Sequence, residues 1–96
     1  MVAAGSHSSV NVIIRRAEVD AHKLPDRSAL LFDPTRGITI PVSESGGRIW
    51  ELCDGIHTID DIVDDLALTY EADRSQVDRD TRDFLAILER HGFIER

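Results

Sequence analysis

The chain has 96 residues, 42% of them hydrophobic and 5% aromatic, enough for one modest core in a single small domain. Eighteen acids against eleven bases give a formal charge of -7, which argues against duplex DNA or an anionic membrane surface as the main partner. The excess is one-sided: residues 1–53 carry six acids and six bases, residues 54–96 twelve and five. A single cysteine, Cys53, excludes an internal disulfide and any multi-cysteine zinc site. The longest apolar run, Phe84-Leu85-Ala86-Ile87-Leu88, is far short of the ~18 residues of a membrane span. No basic stretch followed by an apolar one opens the chain, so no signal peptide is expected and the expected location is the cytoplasm.

Residues 1–11 are small and polar without periodicity and are expected to form a disordered tail, leaving 12–96 as the domain. Val12-Ile13-Ile14 and Ala17-Glu18-Val19-Asp20 predict one irregular strand, interrupted at Arg15-Arg16. Lys23 to Arg27 predicts a loop, and Ala29-Leu30-Leu31-Phe32 a second strand. Asp33-Pro34-Thr35-Arg36-Gly37 has the chemistry of a type I turn. Pro34 presets φ, and Gly37 is free to adopt φ > 0. A β-hairpin follows, with Ile38-Thr39-Ile40-Pro41-Val42 as the third strand. Ile38, Ile40 and Val42 alternate with Thr39 and Pro41, so one face is apolar. Pro41 has no N–H to give a ladder, which favours an edge strand. A three-stranded antiparallel meander with a free last edge is expected.

Helical patterns occupy the remainder. Ser43 caps a helix running to Leu52, with Gly46, Ile49, Trp50 and Cys53 on one side and Glu44–Arg48 as an i,i+4 pair. Asp54-Gly55 reads as its stop. Thr58 with Asp61 starts a second helix, whose apolar stripe is Ile59, Ile62, Val63, Leu66 and Tyr70. Ser75 with Asp78 starts a third, with Val77, Thr81, Phe84, Leu85 and Leu88 on its apolar face and His91-Gly92 at its end. The order βββ then ααα is α+β.

Few constellations carry chemistry. Cys53 and His57 straddle a helix stop without a third orienting group, and read as a small core thiol and a turn histidine. His7 lies in the tail and carries no role. Asp60, Asp61, Asp64 and Asp65 lack the glycine turn of a calcium loop and read as a solvated acidic face, with docking to a basic patch as the lesser reading. Ser45-Gly46-Gly47-Arg48 lacks the spacing and lysine of a phosphate loop. Arg15-Arg16 is too small for a nucleic-acid patch. No catalytic residue, metal or cofactor is expected.

The central block carries a resemblance. Asp33-Pro34-Thr35-Arg36-Gly37 is followed by Ile49-Trp50-Glu51-Leu52-Cys53-Asp54-Gly55. Then come Thr58-Ile59-Asp60-Asp61-Ile62 and a closing segment from Phe84-Leu85 to Gly92-Phe93-Ile94. In combination, from about Ile14 to Ile94, this resembles the PqqD family, the RiPP recognition elements that bind the leader of a ribosomally made precursor peptide. The resemblance implies a winged-helix-like domain of three antiparallel strands followed by three helices. It implies a non-catalytic peptide chaperone whose ligand adds as a strand to the third strand and settles against the third helix.

Carried onto this chain, the strand residues are Gly37, Ile38, Thr39, Ile40, Pro41 and Val42. The helix residues are Arg79, Arg82, Asp83, Leu85, Ala86 and Arg90, with the flank that faces the groove left open. Pro41 departs from an ideal template: if its nitrogen faces the leader, one ladder bond is missing. The implied partners are a precursor leader and a separate modifying enzyme, a radical SAM maturase or a leader peptidase or cyclase. The pathway would be that of PQQ, a lasso peptide or another radical SAM product. A homodimer through the free edge is a further reading. The alternative is a winged-helix DNA-binding regulator. Against it, the third helix sets Asp78, Asp80, Asp83 and Glu89 against Arg79, Arg82 and Arg90, a net acidic surface that phosphate repels.

Overall fold

The computed structural model describes residues 12–96, so the expected N-terminal tail lies outside the described residues. The fold is α+β. In chain order it runs β1 (Val12–Arg15), β2 (Asp20–Lys23), β3 (Ala29–Asp33), β4 (Ile38–Val42) and α1 (Glu44–Leu52). It continues with β5 (Asp54–Thr58), α2 (Ile59–Thr69), α3 (Arg74–Arg90) and β6 (Ile94–Glu95).

The strands form two three-stranded antiparallel sheets, β5-β1-β6 and β2-β3-β4. The second contains the expected hairpin, but its first strand is β2 rather than the expected segment from Val12 to Asp20. Its hairpin closes as the turn chemistry requires: Gly37 takes φ 69 and its N–H donates to the Asp33 carbonyl at 2.7 Å. The register runs from Asp33↔Ile38 to Ala29↔Val42.

The first sheet corrects the reading of the N-terminal segment as one irregular strand. A turn closed by Val19 N–H on the Arg16 carbonyl, 3.1 Å, separates β1 from β2 and sends them to different sheets. Arg15 enforces the break. Its guanidinium donates to the carbonyls of Trp50 and Glu51 at 3.2 and 2.7 Å, and so caps the end of α1, whose last turn has no base of its own. Lys23, expected in a loop, closes β2, and Arg27 takes φ 74 in the turn that follows.

Asp54-Gly55, read as a helix stop, opens β5 instead. Cys53 is the cap of α1, and the positive φ of Gly55, 81, lies within the strand. The Thr58–Asp61 capping box is complete. α3 starts earlier than expected, because Asp73 rather than Ser75 accepts from the N–H of Gln76. Arg48 does not pair with Glu44. It makes a two-pronged bond to Asp65 of α2 at 2.6 and 3.0 Å, joining two helices where the expected pair would have spanned one.

The core gathers Ile13, Leu31, Trp50, Ile62, Leu66, Leu85, Leu88 and Phe93 from both sheets and all three helices. Tyr70, expected in the buried stripe of α2, is 38% exposed beyond that helix's last turn. Gly46 sets how closely α1 approaches its neighbours: a Cβ there would lie 3.1 Å from Val42 Cβ and 3.3 Å from Phe84 Cζ. That contact brings β4, α1 and α3 together.

Candidate functional site

β4 pairs with β3 on one side only, so its other edge is open among the described residues. Val42 is buried, Ile38 and Ile40 are half-buried against the core, and Thr39 and Pro41 are exposed. Val77 and Phe84 of α3 are also half-buried against that core. Ile38 and Ile40 of β4 and Val77 and Phe84 of α3 thus pack on one core beside the open edge. Just past the end of β4 lies a cavity of about 370 Å³, lined by Ser43, Ile49, Leu66, Tyr70, Val77 and Thr81. Glu44 and Asp80 add carboxylates to the cavity wall. Burial pushes the Tyr70 hydroxyl above its ordinary pKa, with Glu44 adding to the effect, so the phenol stays protonated at neutral pH.

One flank of α3 lies toward the end of β4 and the turn before it. Phe84 touches the Gly46–Val42 corner, and the His91 carbonyl accepts from Arg36 of the β3–β4 turn at 2.5 Å. Val77, Asp80, Phe84 and His91 recur at three, four and seven positions and so share that flank.

The six α3 residues taken from the resemblance are placed elsewhere. Leu85 is fully buried. Arg82 bonds Asp78 at 2.7 Å and reaches Asp60 at 3.8 Å, on the α2 side. Arg79, Asp83, Ala86 and Arg90 are exposed and form a stripe on the outer face. Of the six strand residues, Ile38 to Val42 form β4, whereas Gly37 lies in the turn before it, its N–H bonded to the Asp33 carbonyl. Val77, Asp80 and Phe84 occupy the flank nearest the end of β4, a placement that sequence periodicity alone does not give. Phe84 and Val77 were visible only as members of an apolar face, which sequence periodicity does not divide into floor and rim.

The other candidates are accounted for by packing. The Cys53 thiol is fully buried and donates to the Ile49 carbonyl at 3.2 Å. Burial pushes its pKa up to about 12, so it stays a neutral thiol. His57 places Nδ1 2.9 Å from the Asp54 carboxylate. The acidic residues of α2 are largely partnered rather than free: Asp61 closes the capping box, Asp64 meets Arg74 at 2.9 Å and Asp65 holds Arg48. Among the described residues, no group of three or more histidines, cysteines or carboxylates is placed to hold a metal ion. No helix there is long and apolar enough to cross a membrane.

Comparison with known proteins supplies a context for this edge. Residues 28–94 match the family described as Coenzyme PQQ synthesis protein D (PqqD). A PqqA binding protein of Rhodopseudomonas palustris (strain TIE-1) is 33% identical over 86 residues, covering 81% of this chain and 84% of that protein. Among solved structures, TbiB1 in complex with the TbiA(beta) leader peptide is 29% identical. It aligns with a TM-score of 0.74 over 85% of this chain and 94% of that one. The PqqD truncation of Methylobacterium extorquens PqqCD, described as a functional stand-alone RiPP recognition element, is 25% identical. Its TM-score is also 0.74, over 92% and 93% of the two chains. An open strand edge on this fold, with a family match over most of the described residues, places the chain in the PqqD family.

Proposed function

We propose that this chain recognises the leader of a ribosomally synthesised precursor peptide by strand addition at β4 and presents it to a separate modifying enzyme. The observation that carries the reading is the open β4 edge lying beside half-buried Ile38, Ile40, Val77 and Phe84. Backbone bonds along such an edge supply affinity, and the apolar floor selects the side chains that alternate toward it. The relatives described as a PqqA binding protein and as a complex with a leader peptide support the ligand class. The enzyme served would be a radical SAM maturase or a leader peptidase or cyclase, acting as a distinct chain. Without a leader, the same edge is available to a second copy, so self-association and leader binding compete.

Calorimetric titration with synthetic leaders from the neighbouring reading frames tests this. One leader is expected to bind, and Ile40→Glu and Phe84→Asp, each confirmed as folded by circular dichroism, to weaken it by about tenfold or more. Binding by no peptide, or unchanged affinity in both folded variants, would refute the reading.

A further inference from the structure

The β3–β4 ladder determines which backbone groups of β4 are free. Asp33 and Ile38 close the hairpin, with the Gly37 N–H on the Asp33 carbonyl inside it. Antiparallel pairs alternate between those that exchange both bonds and those whose N–H and C=O turn away. Counting from the closing pair, Ile38, Ile40 and Val42 bond to β3, and Thr39 and Pro41, opposite Phe32 and Leu30, turn outward. Proline gives the same phase independently, since a Pro41 turned toward β3 would leave the Leu30 carbonyl without its ladder donor.

Within β4 the outward edge therefore offers one donor, the Thr39 N–H, and two acceptors, the carbonyls of Thr39 and Pro41. In antiparallel addition, a peptide residue opposite Thr39 exchanges both bonds. One opposite Pro41 gives its N–H, but its own carbonyl finds no donor. Immediately beyond, Ser43 leaves the strand to cap α1.

We propose that Thr39 is the sole outward backbone donor within β4 and that Pro41 ends the ladder, so the bound leader pairs over a short segment centred on Thr39 and leaves the sheet at Pro41. The inference rests on strand addition at β4, as proposed above. The ligand it specifies is an extended peptide with two free N–H groups in register with Thr39 and Pro41, and without proline at either position. Pro41 also shortens the edge that a second copy could use.

Amide hydrogen exchange on the free protein tests the phase without any ligand. Thr39 is expected to exchange about tenfold or more faster than Ile38, Ile40 and Val42. Protection of Thr39 with rapid exchange at Ile40 would overturn the assignment. With a synthetic leader from the neighbouring reading frames that binds, Thr39 should become protected, and N-methylation should weaken binding at two leader amides. Pro41→Thr, an exposed substitution that restores an N–H, should bind that leader about threefold to tenfold tighter and protect its own new amide. Wild-type binding with no gain in Pro41→Thr and no protection at residue 41 would overturn this inference and leave strand addition standing. Absence of binding by any leader would overturn both.

Discussion

Arg36 ties the β3–β4 turn to His91 at the end of α3: its guanidinium donates to the His91 carbonyl at 2.5 Å while holding the buried Asp33 carboxylate at 2.7 Å. It also stands 5.9 Å from the centre of the Phe93 ring. The side chain thus ties the turn before β4 to the end of α3. Its hydrogen bond holds the Asp33 carboxyl below the ordinary carboxylate range, against the opposing effect of burial. Arg36→Ala should lower the urea midpoint and weaken leader binding severalfold, because the hairpin tip loses its anchor and Asp33 its charged partner. Chemical denaturation with parallel titration checks both effects.

Gly46 governs the other end of β4. Alanine there gains helix propensity of up to about 1 kcal/mol but must press on Val42 and Phe84, so Gly46→Ala should come out near neutral. Gly46→Leu should lose about 2 kcal/mol or more, from overpacking against both residues. Equal stability of the two variants in urea titrations would contradict the packing described.

Cys53 should be inert. A fully buried thiol with its pKa pushed up to about 12 should not react with a disulfide reagent in the native protein at pH 8, and should react stoichiometrically in denaturant. Cys53→Ser should leave leader affinity unchanged.

Acid should weaken the fold through Asp54 among other carboxylates. Burial alone would raise its pKa from the ordinary 3.8. The His57 ring and the N–H groups of Ile56 and His57 more than offset that and hold it at about 2. A depressed carboxylate contributes stability that is fully present above its unfolded value and is lost as pH falls from about 4 through about 2. Asp54→Asn should therefore flatten the pH dependence of the urea midpoint in that window and change little of its slope near pH 7.

What was legible in the sequence was local. The hairpin from Ala29 to Val42 followed from Pro34 and Gly37, and the starts of α1 and α2 from the oxygens of Ser43 and Thr58, because each device acts within a few residues. β5 and β6 were not legible. They pair with β1, some forty residues or more distant in sequence, and Asp54-Gly55 has the same composition in a strand with a positive φ as in a helix stop. The Asp73 cap was obscured by Ser75, an equally good cap residue two positions on. The open edge of the candidate site was readable from Pro41. Which flank of α3 lies toward β4 was not, because periodicity marks the buried side of a helix but not which neighbour covers each margin.

An amide-resolved NMR titration of the described domain with leaders from the neighbouring reading frames, with a random duplex oligonucleotide as control, tests the central claim most directly. The account predicts shifts at the amides of Ile38, Thr39, Ile40 and Val42 and at Val77, Asp80 and Phe84 with one leader, and none with DNA. Shifts confined to the outer stripe of Arg79, Asp83, Ala86 and Arg90, or a response to DNA alone, would contradict it.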